Sequence, residues 1–232
     1  MPVPRLEVVD IHKSYTAWPG FWGLFHPTTR RVLTGVEFAL PHSGIIGLYG
    51  ANGAGKTTLL HILAGLLHAD RGAIRLDGAA VSFGDIRLRQ SVVLGLGESR
   101  SFYWRLNVRQ NLEFFSALAM NHDRSRVDGV METFHLADLA SQTFSTLSAG
   151  QMRRLSLARA FLFDAPIRLF DEPTRDLDAE ARSDFLDHLA ARRAVGESIL
   201  LVSHRLEELQ DLCDAIWYLE NGTLRKKTGG NP

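Results

Sequence analysis

The sequence predicts an α/β fold in which a strand-and-helix core carries an inserted helical block, and three observations predict it. The apolar run Ile45, Ile46, Gly47, Leu48, Tyr49 reads as a buried strand, is followed by GANGAGKTT at residues 50–58, and leads into the helical run Leu59, Leu60, His61, Ile62, Leu63. Strand signals return at Ile167, Arg168, Leu169, Phe170 and at Ile199, Leu200, Leu201, Val202, each followed by a helix pattern. Between about residues 108 and 163 the apolar spacing is helical instead. Strands alternating with helices, broken once by helices alone, give that architecture.

Taken in order, residues 5–10 and 36–40 alternate apolar and polar and are expected as strands, and Ile74, Arg75, Leu76, Asp77, Gly78 as a strand entering a turn. In the helical block Leu112, Phe115, Leu118 and Ala119 are expected to form one face. Leu155, Ala158 and Leu162 form another, on a helix expected over residues 152–163. A helix over residues 206–212 would place Cys213 on its buried side as a small apolar residue. The tail over residues 225–232, with Lys226, Lys227, Gly229 and Gly230, is expected to fray.

Composition sets bounds. With 232 residues the chain can bury a substantial core, as one domain or one domain with a sizeable insertion. Its 26 basic and 26 acidic residues cancel, so bulk charge gives no reason to expect nucleic acid. A single cysteine excludes an internal disulfide and suits a reducing cytosol. No stretch reaches membrane-spanning length and the start, MPVPRLEVVD, lacks the apolar core of a signal peptide, so the chain itself is expected to be soluble.

Three elements carry chemistry. In GANGAGKTT two glycines bracket four residues ahead of Lys56 and Thr57, the spacing of a loop whose backbone N–H groups wrap phosphates while the lysine reaches them and the threonine hydroxyl meets Mg²⁺. An anion held there faces the positive end of the following helix. Asp171 and Glu172 close the strand from Ile167, and strands of such sheets present ligands at their carboxyl ends. Beside a phosphate loop, Asp171 is placed to hold Mg²⁺ and Glu172 to polarise an attacking water. Third, Ser148 with Gln151 has capping-box spacing ahead of a helix, and with Gly150 it also suits an anion. Two such sites serve one γ-phosphate only if a second copy supplies one of them.

Together these runs resemble the nucleotide-binding subunit of an ATP-binding cassette (ABC) transporter, in order and over nearly the whole chain. GANGAGKTT resembles the Walker A loop, IRLFDE at residues 167–172 the Walker B strand, and LSAGQ at residues 147–151 the family signature. Arg175, Asp176, Leu177 and Asp178 fall at the D-loop, His204 at the switch histidine, and Tyr15 where the family stacks a ring on adenine. The resemblance implies a P-loop NTPase core with a mixed sheet and an inserted helical subdomain, the ABC ATPase fold. It implies one ATP-binding domain over residues 1–232, with the helical subdomain over about 98–163.

The family's cofactors, ATP and Mg²⁺, would then be held by Tyr15, Gly50, Asn52, Gly53, Ala54, Gly55, Lys56, Thr57, Thr58, Ser148, Gly150, Gln151 and Asp178, with Thr57, Glu98 and Asp171 serving the metal. Glu172, His204 and Lys56 would be catalytic. Ser148 and Gly150 would reach the ATP of the opposite subunit in a head-to-tail homodimer or heterodimer. The partner would be a membrane-spanning transporter subunit, at the cytoplasmic face of the membrane, with closure on ATP and opening after hydrolysis driving it between two access states. The segment from Glu98 through Ser101, Phe102, Tyr103 and Trp104 to Asn111 looks like that of exporters. A soluble superfamily ATPase not coupled to transport is the alternative.

Three departures stand out. Glu98 occupies the position of the family's Q-loop glutamine, where it is expected to be a metal-linked coupling residue. Ala149 replaces a signature glycine. A long aromatic segment, WPGFWGLFHPTTRR from Trp18, either packs on its own domain or meets the membrane partner or lipid interface. The same choice attends Phe102, Tyr103 and Trp104, whose region in this family borders the groove for the partner's coupling helix.

Overall fold

The computed structural model describes residues 3–17, 27–96, 101–118 and 124–226. An antiparallel sheet of four strands, ordered β2-β1-β4-β5, is made by β1 (Leu6–Ala17), β2 (Thr28–Leu40), β4 (Arg71–Leu76) and β5 (Ala79–Val81). A second sheet is ordered β10-β9-β3-β8-β7-β6. Its members are β3 (Gly44–Tyr49), β6 (Val92–Leu96), β7 (Ile167–Asp171), β8 (Ser198–Ser203), β9 (Ala215–Glu220) and β10 (Thr223–Lys226). All its pairs are parallel except β9 with β10, so the sheet is mixed. β3 lies between β8 and β9, and β7 between β6 and β8, which explains why these strands read as unbroken apolar runs.

Alternate residues of those runs serve two cores. Ile46, Leu48, Ile167, Leu169, Leu200 and Val202 pack with the antiparallel sheet and with α1 (Lys56–Leu63). Ile45, Phe170, Ile199 and Leu201 face the opposite cluster, which includes residues of α3 (Val108–Leu118), α4 (Arg124–Thr133), α5 (Ala149–Ala160), α6 (Ala179–Ala194) and α7 (Leu206–Leu212). The expected strands and the helix at residues 206–212 are present. The short helix α2 (Ile86–Ser91) and β5, β6 and β9 carried no signal read above, and Arg225 and Lys226, expected to fray, instead pair with Tyr218 and Trp217 as the end of β10.

Two helical expectations need correction. The buried side of α3 runs through Val108, Asn111, Leu112 and Ser116, and Leu118 is 63% exposed at its last turn. The reason is polar: Asn111 turns inward because its amide donates to the carbonyls of Tyr103, Leu106 and Asn107 and its Oδ1 accepts the N–H of Tyr103. Ala119 lies outside the described residues. The helix expected over residues 152–163 spans Ala149–Ala160. Ser148 caps its start, and at its end the guanidinium of Arg168 takes the carbonyls of Ala160 and Phe163. Cys213, just past α7, is packed where the absent side chain of Gly47 leaves room, and burial pushes its thiol up to about 12.

Candidate nucleotide site

The phosphate loop joins β3 to α1. Gly50 must be glycine, because a Cβ there would lie 2.6 Å from the carbonyl oxygen of Leu219 on β9. Gly55 caps α1 at φ 106°, a left-handed conformation, and no side chain accepts from the first turn of the helix. The first turn also holds no acidic residue, so its N–H groups are left for an anion from outside. Lys56 is 7% exposed and donates to the carbonyls of Gly50 at 2.6 Å and Ala51 at 3.0 Å. These contacts fold the lysine back along its own loop and place one positive charge beneath it.

The ends of β7 and β8 supply the acids and the histidine. Thr57 Oγ1 donates to Asp171 Oδ2 at 2.8 Å, so the first turn of α1 and the end of β7 meet at two hard oxygens. That donor pair fits Mg²⁺, which takes one or two protein oxygens and completes its shell with phosphates and water. Glu172 sits at φ 49°, a conformation few side-chain-bearing residues adopt, and its N–H donates to Val202 at 3.0 Å. His204 Nδ1 and Glu172 Oε2 are 2.7 Å apart. Beneath them Arg153, buried on α5, gives Nε to Pro173 O at 2.9 Å and Nη2 to the carbonyls of Asp171 and Glu172. Burial pulls its guanidinium below the usual range, with Asp176 and Asp171 opposing the shift.

Most of these groups open into one cleft of about 840 Å³, but Gly50 and His204 do not line it; His204 only borders it through its contact with Glu172. Tyr15, Asn52, Gly53, Gly55, Lys56, Thr57, Thr58, Asp171 and Glu172 all line the cleft. Tyr15 is 44% exposed near the end of β1, with Lys13 Nζ 5.7 Å from its ring centre. A ring, backbone donors, a lysine and two acids around one cleft are the groups that a base, a polyphosphate and its metal would require. Arg175 and Asp176, from the run expected as the D-loop, line the cleft as well, and so do Arg30 and Arg153, to which sequence reasoning gave no role. Strand register was the missing signal for Arg30, which pairs with Tyr15 across β1 and β2.

Other expected residues lie apart from this cleft. Ser148, Gly150 and Gln151 stand at the N-terminus of α5, where the capping box is complete: Gln151 N donates to Ser148 Oγ at 3.2 Å and Ser148 N to Gln151 Oε1 at 2.8 Å. A Cβ on Gly150 would be 3.3 Å from Asp176 O, so this helix end abuts the segment that rims the cleft. Asp178 caps α6 through Ala181 N at 2.9 Å and pairs with Arg154. Phe102 is buried among Phe115 and Phe144, whereas Tyr103 and Trp104 are exposed, so the aromatic run divides between core and surface. Glu98 and residues 18–26 of the aromatic segment lie outside the described residues, while its end, Thr28 to Arg31, belongs to β2.

The ABC transporter family profile matches residues 33–175. The ABC transporter ATP-binding protein NatA of Bacillus subtilis (strain 168) is 30% identical over 190 residues, covering 81% of this chain and 77% of that protein. The Nod factor export ATP-binding protein I of Burkholderia orbicola (strain AU 1054) is 36% identical over 206 residues, covering 88% of this chain and 67% of that protein. A solved structure of the ATP-binding subunit of an ABC transporter has a TM-score of 0.79 at 27% identity, over 96% of this chain and 89% of that one. The fold thus agrees with the comparisons, and the chain belongs to the ABC transporter family as an ATP-binding subunit that hydrolyses ATP.

Proposed function

We propose that this subunit powers export through a separate membrane-spanning subunit at the cytoplasmic face of the membrane, working as a dimer that closes on two ATP molecules. No helix among the described residues is long and apolar enough to cross a membrane. The observation that carries the dimer is the separation of two anion-binding ends: the open end of α1 lies inside the cleft, whereas Ser148 and Gly150 lie outside it. Head-to-tail pairing brings the second to the first. Ser148 can serve there without losing its cap, because a hydroxyl that accepts from Gln151 N still has its own hydrogen to donate. Export is favoured by the resemblance of the run from Glu98 to Asn111 to that of exporters and by relatives named for export. Residues 1–232 form one ATP-binding domain in this reading, with residues 98–163 as its helical subdomain.

In this site Tyr15 stacks on adenine, and the loop from Gly50 to Thr58 cradles the phosphates. Lys56 exchanges its carbonyl contacts for the β and γ phosphates. Mg²⁺, held by Thr57 and Asp171 and linked to Glu98, would neutralise charge on those phosphates. Glu172 accepts a proton from the attacking water as that water's oxygen bonds to the γ-phosphorus and the bond to the β-phosphate oxygen breaks, releasing ADP and phosphate. His204, already against Glu172, steadies the carboxylate and reaches the γ-phosphate.

The test is Glu172→Gln. Losing a positioned base lowers hydrolysis by about 10²- to 10⁴-fold while ATP binding stays intact. Light scattering of this variant then shows a dimer with ATP and a monomer with ADP. Turnover at the parent rate would overturn the base assignment, and a strictly monomeric ATP-bound variant at tens of micromolar would replace the homodimer by a heterodimer.

A further inference from the structure

One buried carboxylate joins the two chain segments that carry Glu172 and His204. Glu208, in the first turn of α7, is 5% exposed. Its Oε2 accepts from Thr174 Oγ1 at 2.8 Å and from Ser203 Oγ at 3.1 Å. Its Oε1 accepts from Arg205 Nη1 at 3.2 Å and stands 3.4 Å from Arg182 Nη2 on α6. Thr174 follows Glu172 by two residues and Ser203 directly precedes His204; both are buried. Ser203 Oγ also accepts the N–H of Arg205 at 3.0 Å, closing the turn that presents His204.

An apolar residue could fill this position in α7 without the cost of desolvating a charge, so the contacts made by the carboxylate call for another account. Glu172 supplies one. Its φ of 49° persists only if the surroundings over-determine it, and the chain on its far side is anchored at Thr174. Because both hydroxyls donate to one oxygen of Glu208, the ends of β7 and β8 cannot shift relative to each other without lengthening at least one bond. The 2.7 Å contact between Glu172 and His204 depends on that same spacing.

We propose that Glu208 is a positioning residue for hydrolysis, setting the placement of Glu172 against His204 through Thr174 and Ser203. The inference rests on the roles of Glu172 and His204 given under the proposed function. Steady-state ATPase kinetics of the full chain test it. Glu208→Ala lowers kcat by about 10- to 100-fold, the cost of an ångström-scale misplacement, with KM for ATP within about twofold. Glu208→Gln keeps most of kcat, since its amide oxygen can still accept from both hydroxyls. In a Glu172→Gln background the further loss from Glu208→Ala shrinks below about threefold, because the residue acts through a group already removed.

An equal loss in both backgrounds, or a rise in KM matching the fall in kcat, overturns the proposal. If Glu208→Ala fails to fold, Thr174→Val with Ser203→Ala carries the same test: kcat falls with KM steady, and an unchanged kcat overturns it. Failure of the underlying reading has a separate signature, namely Glu172→Gln alone turning over at the parent rate.

Discussion

The strand β7 carries charge at both of its ends, and the two ends treat it oppositely. At its start Arg168 is fully buried, with Nε on Glu197 Oε2 at 2.5 Å, Nη1 on Ala160 O at 2.6 Å, and its guanidinium 4.8 Å from the ring of Phe161. Arg192 pairs with the other oxygen of Glu197. Burial pushes the Glu197 carboxyl up, but the hydrogen bonds from Arg168 and Arg192 outweigh it and hold the group below its ordinary value. At the other end Asp171, Glu172 and Lys56 face a cleft of about 840 Å³, with His204 against Glu172. Charges removed from water persist where each meets a partner inside the protein, which makes the first end structural. Those of the second end are answered only partly by each other, and under the proposed function a polyphosphate with its metal would complete them.

Breaking each end in turn sharpens the contrast. The largest effect is expected from Lys56→Ala, which removes the buried positive charge beneath the phosphates and weakens ATP binding by about 2–5 kcal/mol, read by nucleotide titration, with the melting point little changed. Glu197→Ala should do the reverse. Leaving two arginines unpaired at the closed end costs about 3 kcal/mol of stability in denaturant unfolding, while ATP affinity of the folded protein stays at the parent value.

Ser148→Asp tests the third charged terminus, at α5. Aspartate caps as well as serine, so stability stays within about 0.5 kcal/mol, but its carboxylate opposes a γ-phosphate from a second copy. ATP-driven dimerisation should vanish; retained dimerisation would remove α5 from the site.

The smallest effect concerns pH. His188 lies against Phe161 and Phe134 near the closed end, and burial, then Arg192 and Arg168, lower its pKa from 6.5 to about 4, against the pull of Glu197. The unfolded chain therefore takes up this proton first. Stability contributed by the neutral ring is present above pH 6.5 and is lost as pH falls from there toward about 4. His188→Leu should flatten that part of the stability profile, and an unchanged slope would assign it to other groups.

The site was legible where its chemistry is local. GANGAGKTT declares itself because backbone must approach phosphate closely at fixed spacing, and Asp171 and Glu172 because they end an apolar run. Ser148 and Gln151 were legible for the same reason, since a capping box spans a single turn. Glu208 and Arg153 were not, because Arg153 reaches carbonyls 18 to 20 positions away and Glu208 reaches Thr174 34 positions away, brought to them by the order of the central sheet. Arg168 was hidden inside its own strand signal, where one polar residue in an apolar run gives no hint of Glu197 waiting beside it.

The sequence by itself therefore determined the α/β class, the phosphate loop, the acid pair and the capped helix, all set by periodicity and spacing within a few residues. Only the tertiary structure decided which charges are closed off and which face the cleft. That depends on the β3-β8-β7 adjacency, which lines up the ends of three strands distant in sequence. It also depends on the burial that makes an unpaired charge too costly anywhere except at a site where a ligand completes it.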